Sequence, residues 1–330
     1  MSVPEHTACL CVAGVRFEIR SHCPIAEPFD DRTRLPFTKH VDSPVDPVDV
    51  NVRLVQGGLP DLGGRELLFE SNAAWRMYRD ADTRWIVRTA QGRTRTLWIA
   101  EFGRAAREVT VHCADACIEE RQGQTVILNP IRFPLDQILL MHALADHGGM
   151  IVHAAGAVLG RSGCVLAGRS GRGKSTVARR LADADGTRVL SDDRIVIRAG
   201  QQGWHMFGTP WPGDAGMAAN AAAPLAALFF LEHAATDRAP RLEAREALDR
   251  LLPVSSIPWY DKALLPSVLD TCEQLLASVP AHALQLRRDA PVAALLRECV
   301  TGYVGDGSAG ATSSRNPSPE PNQEPIETEG

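Results

Sequence analysis

Gly168-Arg169-Ser170-Gly171-Arg172-Gly173-Lys174-Ser175-Thr176 fits the spacing G-x-x-x-x-G-K-[ST], a loop whose backbone N–H groups cradle phosphates. Its glycines allow positive φ and let the backbone approach an anion closely. Lys174 brings a positive charge to the outer phosphates, and Ser175 offers a hydroxyl ligand to Mg²⁺. Gly168, Ser170, Gly171, Arg172, Gly173, Lys174, Ser175 and Thr176 are therefore the candidate nucleotide-binding residues, and Arg169 or Arg172 can add positive charge.

The flanking sequence supplies the context this motif requires. Cys164-Val165-Leu166-Ala167 is a short apolar run that reads as a buried strand entering the loop. Val177, Leu181 and the alanines near them read as a helix leaving it, with its N-terminus aimed at phosphate. Next, Arg188-Val189-Leu190 reads as a strand ending in Ser191-Asp192-Asp193. Two adjacent carboxylates at a strand end need a cation or a proton if they are buried. Mg²⁺ held with ATP is the cation this loop suggests. One carboxylate can then bind the metal while the other accepts a proton from an attacking hydroxyl. Away from the loop, the same pair would read as a solvated acidic turn, and His153 as a satisfied core histidine.

Composition narrows the setting. A chain of 330 residues, 45% hydrophobic, has room for two domains with real cores. A formal net charge of −5 gives no overall attraction to nucleic acid or to an anionic membrane. Eight scattered cysteines without a secretory signal suggest reduced thiols in a cytoplasm. No apolar run approaches the roughly 18 residues needed to span a bilayer.

Upstream, residues 7–20 alternate as a strand with Val15, Phe17 and Ile19 on one face, and Val48–Leu54 repeat that period. Further short strands are expected at Trp75–Tyr78, Trp85–Thr89, Thr96–Ala100, Glu108–His112 and Thr125–Leu128, giving a mainly β N-terminal domain over 1–134. His112, Cys113 and Cys117 lack the second ligand pair of a zinc site and read as core or edge residues. Trp75, Trp85 and Trp98 at strand positions read as core.

From Phe133 a helical stripe runs to Leu144, followed by the apolar strand Met150–Ala155. Ile195–Ile197 and Trp204–Phe207 form a hairpin. Gly208-Thr209-Pro210-Trp211-Pro212-Gly213-Asp214 reads equally as a structural turn or as the wall of an acceptor site. Leu225–Leu231 is apolar and ends in Glu232. Helices are expected at Glu243–Leu252, Leu265–Ser278 and Val292–Val300, with a strand at Ala283–Leu286. From Gly302 on, the Gly/Ser/Pro/Glu-rich composition reads as a disordered tail, 302–330.

Residues 150–200 resemble the catalytic domain of HPr kinase/phosphorylase. The resemblance rests on His153 lying upstream of Gly168, on the Gly-x-Ser-Gly-x-Gly-Lys-Ser loop, and on Asp192-Asp193 one short helix and strand later. It implies an α/β (α+β) fold in which a phosphoenolpyruvate carboxykinase-like P-loop kinase domain, 135–301, follows the β domain. It also implies Lys174 on the β/γ-phosphates, Ser175 with Asp192 on Mg²⁺, Asp193 as general base and His153 beside the transferred phosphoryl. The family's Leu-Glu-Ile-Arg-Gly segment is absent, and Gly208–Gly213 occupies its region, which argues against HPr as acceptor. Gly-Thr-Pro-Trp with Leu228-Phe229-Phe230-Leu231-Glu232 is similar to HPr-kinase-related proteins of peptide-modification clusters, some of which phosphorylate a lasso-peptide precursor on serine. The expected activity is ATP-dependent phosphorylation of a hydroxyl, most simply a serine of a peptide or small protein. A kinase of a small molecule is an alternative. So is a P-loop ATPase switch in which Glu232 activates water. The family analogue is a homohexamer, which makes a homo-oligomer an open expectation.

Overall fold

The computed structural model describes residues 5–40, 48–71, 75–90, 95–168, 173–287 and 290–306. Arg169, Ser170, Gly171 and Arg172 of the phosphate-loop motif lie outside the described residues, as does the tail from 307 onward. The fold is mixed α/β with a large, sheet-rich N-terminal part.

The single strand expected over 7–20 is in fact a hairpin. His6–Val12 and Val15–Ser21 pair antiparallel around Ala13-Gly14, whose φ values are 55° and 77°. Positive φ at both positions marks a two-residue turn whose twist matches the strands it joins. Hydrophobic alternation continues through such a turn, so periodicity alone did not reveal it.

The hairpin belongs to a nine-stranded sheet. Its order is Thr38–His40, His6–Val12, Val15–Ser21, Val50–Gln56, Glu108–Cys113, Thr96–Gly103, Thr83–Thr89, Trp75–Asp80 and Glu66–Ser71. Val50–Gln56 runs parallel to both its neighbours. The edge strand Glu66–Ser71 was not expected, because none of its residues is buried and its side chains do not alternate in polarity. A smaller sheet joins Ile118–Arg121, Gln124–Leu128 and Ile25–Ala26.

One face of the large sheet buries Leu10, Phe17, Ile19, Val52, Met77, Ile86 and Phe102. The helix Leu135–Asp146 completes this core with Leu135, Ile138, Leu139, Leu140 and Leu144. Ile151 and Val196 of the following strands join the same cluster. Trp75, Trp85 and Trp98 are buried, as core residues should be.

Five of the remaining strands pair in a ring. The order Ser162–Ala167, Gly149–Leu159, Arg194–Gly200, Gly203–Gly208, Ala222–His233 is closed by parallel pairing of the first and last. The strand at 149–159 is longer than the expected 150–155 and serves two partners in succession. Met150–His153 pair with Arg194–Ile197, and Ala154–Leu159 pair with Ser162–Ala167. Helices Ala244–Leu251 and Leu265–Ser278 cover one side, while Lys174–Ala182 and Val292–Asp306 cover another. That last helix runs on to Asp306, so 302–306 are helical rather than part of a disordered tail. No helix among the described residues is long and apolar enough to cross a membrane.

Two buried ion pairs tie the N-terminal part to elements that follow it. Arg34 bonds Asp136 at 2.9 Å, and Arg84 is paired with Asp261. The Arg84 and Asp261 side chains are only 2% and 4% exposed, so truncating one partner strands a charge away from water. Asp261→Ala should therefore destabilise the protein by about 3–5 kcal/mol, read as a lowered urea midpoint.

Candidate functional site

The strand Ser162–Ala167 delivers Gly168, and the chain re-enters the described region at Gly173 with φ 90°. A side chain would be strained there, so the sequence needs glycine. Gly173 is also the N-cap of Lys174–Ala182 and makes no side-chain cap, which leaves first-turn N–H groups to meet an anion. Lys174 is buried, and its Nζ donates to the Gly168 carbonyl at 2.8 Å. Burial holds its pKa below the usual lysine value, and the negative charge of Asp193 opposes that shift. Ser175 is half-buried and Thr176 exposed in the same turn.

Asp192 and Asp193 interrupt two strands, Thr187–Ser191 and Arg194–Gly200, that pair with successive stretches of Gly149–Leu159. The Ser191 hydroxyl accepts from the N–H groups of Asp193 and Arg194 at 3.3 and 3.2 Å, and Ala154 N–H donates to the Asp193 carbonyl at 2.9 Å. The bend is thereby fixed opposite His153. His153 Nε2 lies 2.9 Å from Asp193 Oδ1, and Arg194 Nε lies 3.5 Å from Oδ2. The bond from His153 lowers the Asp193 pKa most; burial opposes it, and the charges of His153, Arg194 and Lys174 reinforce it. Asp193 is thus an ionised carboxylate, 29% exposed, in contact with histidine and arginine and within electrostatic reach of the loop lysine.

Asp192 does something else. It is fully buried, and its carboxylate accepts from the backbone N–H groups of Gly213, Ala215 and Met217 at 2.9, 2.7 and 3.1 Å. Both oxygens are engaged in holding that loop, which does not suit the expected role as Mg²⁺ ligand. A side chain at Gly213 would stand 2.8 Å from Asp192 Oδ2, so glycine is required for the approach. The preceding residues are pinned as well. Thr209 Oγ1 donates to the Arg194 carbonyl at 2.7 Å, and Trp211 Nε1 to Asp136 Oδ2 at 2.9 Å. The segment Gly208–Asp214 is a built wall.

Two cavities flank Lys174's contacts. One of about 360 Å³ is lined by Gly168, Glu232, His233, Asp249 and Arg250. Glu232 ends a strand parallel to the one feeding the loop, yet it pairs with Arg250 and accepts from Gln285 Nε2 at 2.9 Å. The other, about 720 Å³, includes Asp193, Arg194, Pro210, Trp211 and Pro212 together with residues of the N-terminal part. A third, about 680 Å³ and lined by Arg20, Arg53, Glu101 and Thr110, holds none of the site residues.

The structure thus joins His153 to Asp193, sets Lys174 within electrostatic reach of Asp193, and directs Asp192 into the protein. Among the described residues no three His, Cys, Asp or Glu side chains form a metal cluster. Cys113 and Cys117 are buried and point their thiols at the Val111 and Leu97 carbonyls. Sequence reasoning missed Arg194, although it directly follows the acidic pair. It also missed Ser256, whose hydroxyl accepts from Arg194 Nη1 at 3.2 Å, and the Arg34–Asp136–Trp211 link, whose members are too far apart in sequence to suggest one another.

A buried lysine at an uncapped helix start and a carboxylate held by histidine and arginine, on a mixed α/β frame, are what these features describe. The model of the SynChlorMet cassette protein ScmC family matches residues 116–303, more than half of the chain, and the protein belongs to that family. Among solved structures, the HPr(Ser) kinase/phosphatase from Coxiella burnetii is similar over 48% of this chain and 92% of that one, at 13% identity and a TM-score of 0.28. No curated protein matches.

Asp192→Ala should leave three part-buried N–H groups without their acceptor. A loss of about 2–4 kcal/mol is expected from removing hydrogen bonds to a buried charge, measured by urea unfolding.

Proposed function

We propose that the protein is a kinase that transfers the γ-phosphoryl of Mg-ATP to a hydroxyl, on a phosphoenolpyruvate carboxykinase-like P-loop fold over 135–301. The acceptor is a serine of a peptide or small protein. The observation carrying this reading is the ionised Asp193 carboxylate, bonded to His153 at 2.9 Å and electrostatically coupled to Lys174 of the phosphate loop.

The residues suit the nucleotide. A buried lysine, a glycine at φ 90° and the uncapped start of the helix Lys174–Ala182 together form an anion site. Bound Mg-ATP supplies the phosphoryl group and a divalent charge that offsets its oxygens. Lys174 adds positive charge at the same place, where low dielectric strengthens it. Ser175 stands in the first helical turn as a hydroxyl ligand for the metal. A magnesium ion keeps several waters and needs only one or two protein ligands, so the engagement of Asp192 elsewhere does not forbid it.

Asp193 accepts the proton of the acceptor hydroxyl. Its lowered pKa keeps it ionised at neutral pH, and its hydrogen bond to His153 fixes its orientation. Arg194 holds the second carboxylate oxygen, and Ser256 holds Arg194. The ATPase alternative is less well supported, because both Glu232 oxygens are engaged, by Arg250 and by Gln285.

Incubation of the protein with labelled Mg-ATP and serine peptides should transfer phosphate to the peptide. Asp193→Asn should lower kcat by about 10²–10⁴-fold while nucleotide binding persists, as loss of a general base does. Lys174→Ala should weaken both, and wild-type turnover in that variant would rule the assignment out.

The pH dependence follows from the sign of the Asp193 shift. Its folded pKa lies below the ordinary aspartate value, so the base stays ionised as pH falls through the usual carboxylate range. His153→Ala removes the largest stabiliser of the charged form. The acidic limb of kcat/KM should therefore move to higher pH in that variant.

A further inference from the structure

The cavity of about 720 Å³ beside Asp193 is built from both halves of the chain. Pro28, Phe29, Trp98, Leu128 and Phe133 come from the N-terminal part, and Asp193, Pro210 and Trp211 from the rest. Two of its aromatic rings are open to solvent, Phe29 at 61% and Phe133 at 50%. Large apolar side chains left exposed at a cavity mark a place where something binds.

Most charged groups of the same wall are paired. Arg34 pairs with Asp136, Arg132 with Asp31, and Arg194 with Asp193. Arg88 has a partner of its own. Those three aspartates are the acids of the lining among the described residues. A free amino acid, a sugar phosphate or another charged metabolite would find little unmatched charge there. An uncharged stretch of peptide with bulky apolar side chains would find aromatic surface on both sides. Arg132 lies 4.3 Å over the Phe29 ring and Trp211 is held by Asp136, so these surfaces are already positioned before anything binds.

We propose that this cavity is the acceptor site, and that it takes an extended peptide in which the hydroxyl residue at Asp193 is flanked within a few residues by a large aliphatic or aromatic side chain seated between Phe29, Phe133 and Trp211. The assignment rests on the kinase reading for the role of Asp193, whereas the peptide contact itself does not depend on turnover.

The test uses a nine-residue peptide library with a central serine and the full-length protein in two readouts. Peptides retained on the protein through gel filtration are identified by mass spectrometry, and phosphate transfer from Mg-ATP is scored in parallel with free serine, sugars and nucleosides. Retained peptides should carry a bulky apolar residue near the serine. Phe29→Ala and Phe133→Ala should each raise KM for such a peptide at least tenfold with kcat kept, whereas Leu67→Ser, an exposed apolar position on the far edge strand, should change neither. Retention with this preference but without transfer would support the cavity and defeat the kinase reading. Transfer to peptides without apolar preference, or unaffected by loss of the two rings, would overturn the cavity and leave the kinase reading standing. Failure to retain any peptide, or transfer only to metabolites, would also overturn it.

Discussion

The buried carboxylate of Asp192 is the constraint on which the site's geometry depends. It sits without solvent and accepts three backbone N–H bonds from the loop at 213–217. A charge in that position persists only because those dipoles converge on it. With Asp192 committed inward, its neighbour Asp193 meets His153 on the strand alongside. The same three bonds hold the loop end that presents Trp211 and Pro212 to the cavity. One residue thus orients the Asp193 carboxylate and shapes the wall in front of it.

Around that anchor the charges form a sequence rather than a cluster. Lys174 touches Gly168 and is drawn toward its charged state by Asp193; Asp193 is held by His153 and Arg194; Arg194 is held by Ser256. Burial works against charge at Lys174 and at Asp193, and partners offset it at both. Groups kept charged in a partly desolvated place act strongly on whatever charge develops near them. Such an arrangement costs stability locally, and the tightly paired sheet around it offsets that cost.

How much of this was legible in the sequence depended on the range of the signal. The strand before the loop and the helix after it were marked by apolar runs and by glycine, which are local features. The acidic pair was visible because two adjacent carboxylates are chemically conspicuous, but which of them turned inward was not. That choice is made by amide groups about twenty residues away, at Gly213, Ala215 and Met217, and nothing in the sequence joins them to Asp192. The hairpin at Ala13-Gly14 was hidden for a different reason, since both strands present the same alternation. Arg84 and Asp261 lie far apart in sequence with no local signal to join them, and the fold removes both from water. The resemblance put His153 beside the transferred phosphoryl and made Asp193 the base; the strand register is what sets the two side by side.

The strand at 149–159 begins against Arg194–Gly200 and ends against Ser162–Ala167, with His153 at the changeover. It also lends Ile151 to the core of the N-terminal sheet, while Met150 and Val152 face the core on its other side. A single rigid backbone is therefore shared by the scaffold, the phosphate loop's strand and the histidine. The first half of the chain is then a foundation rather than an accessory, because removing it would uncover one face of that strand.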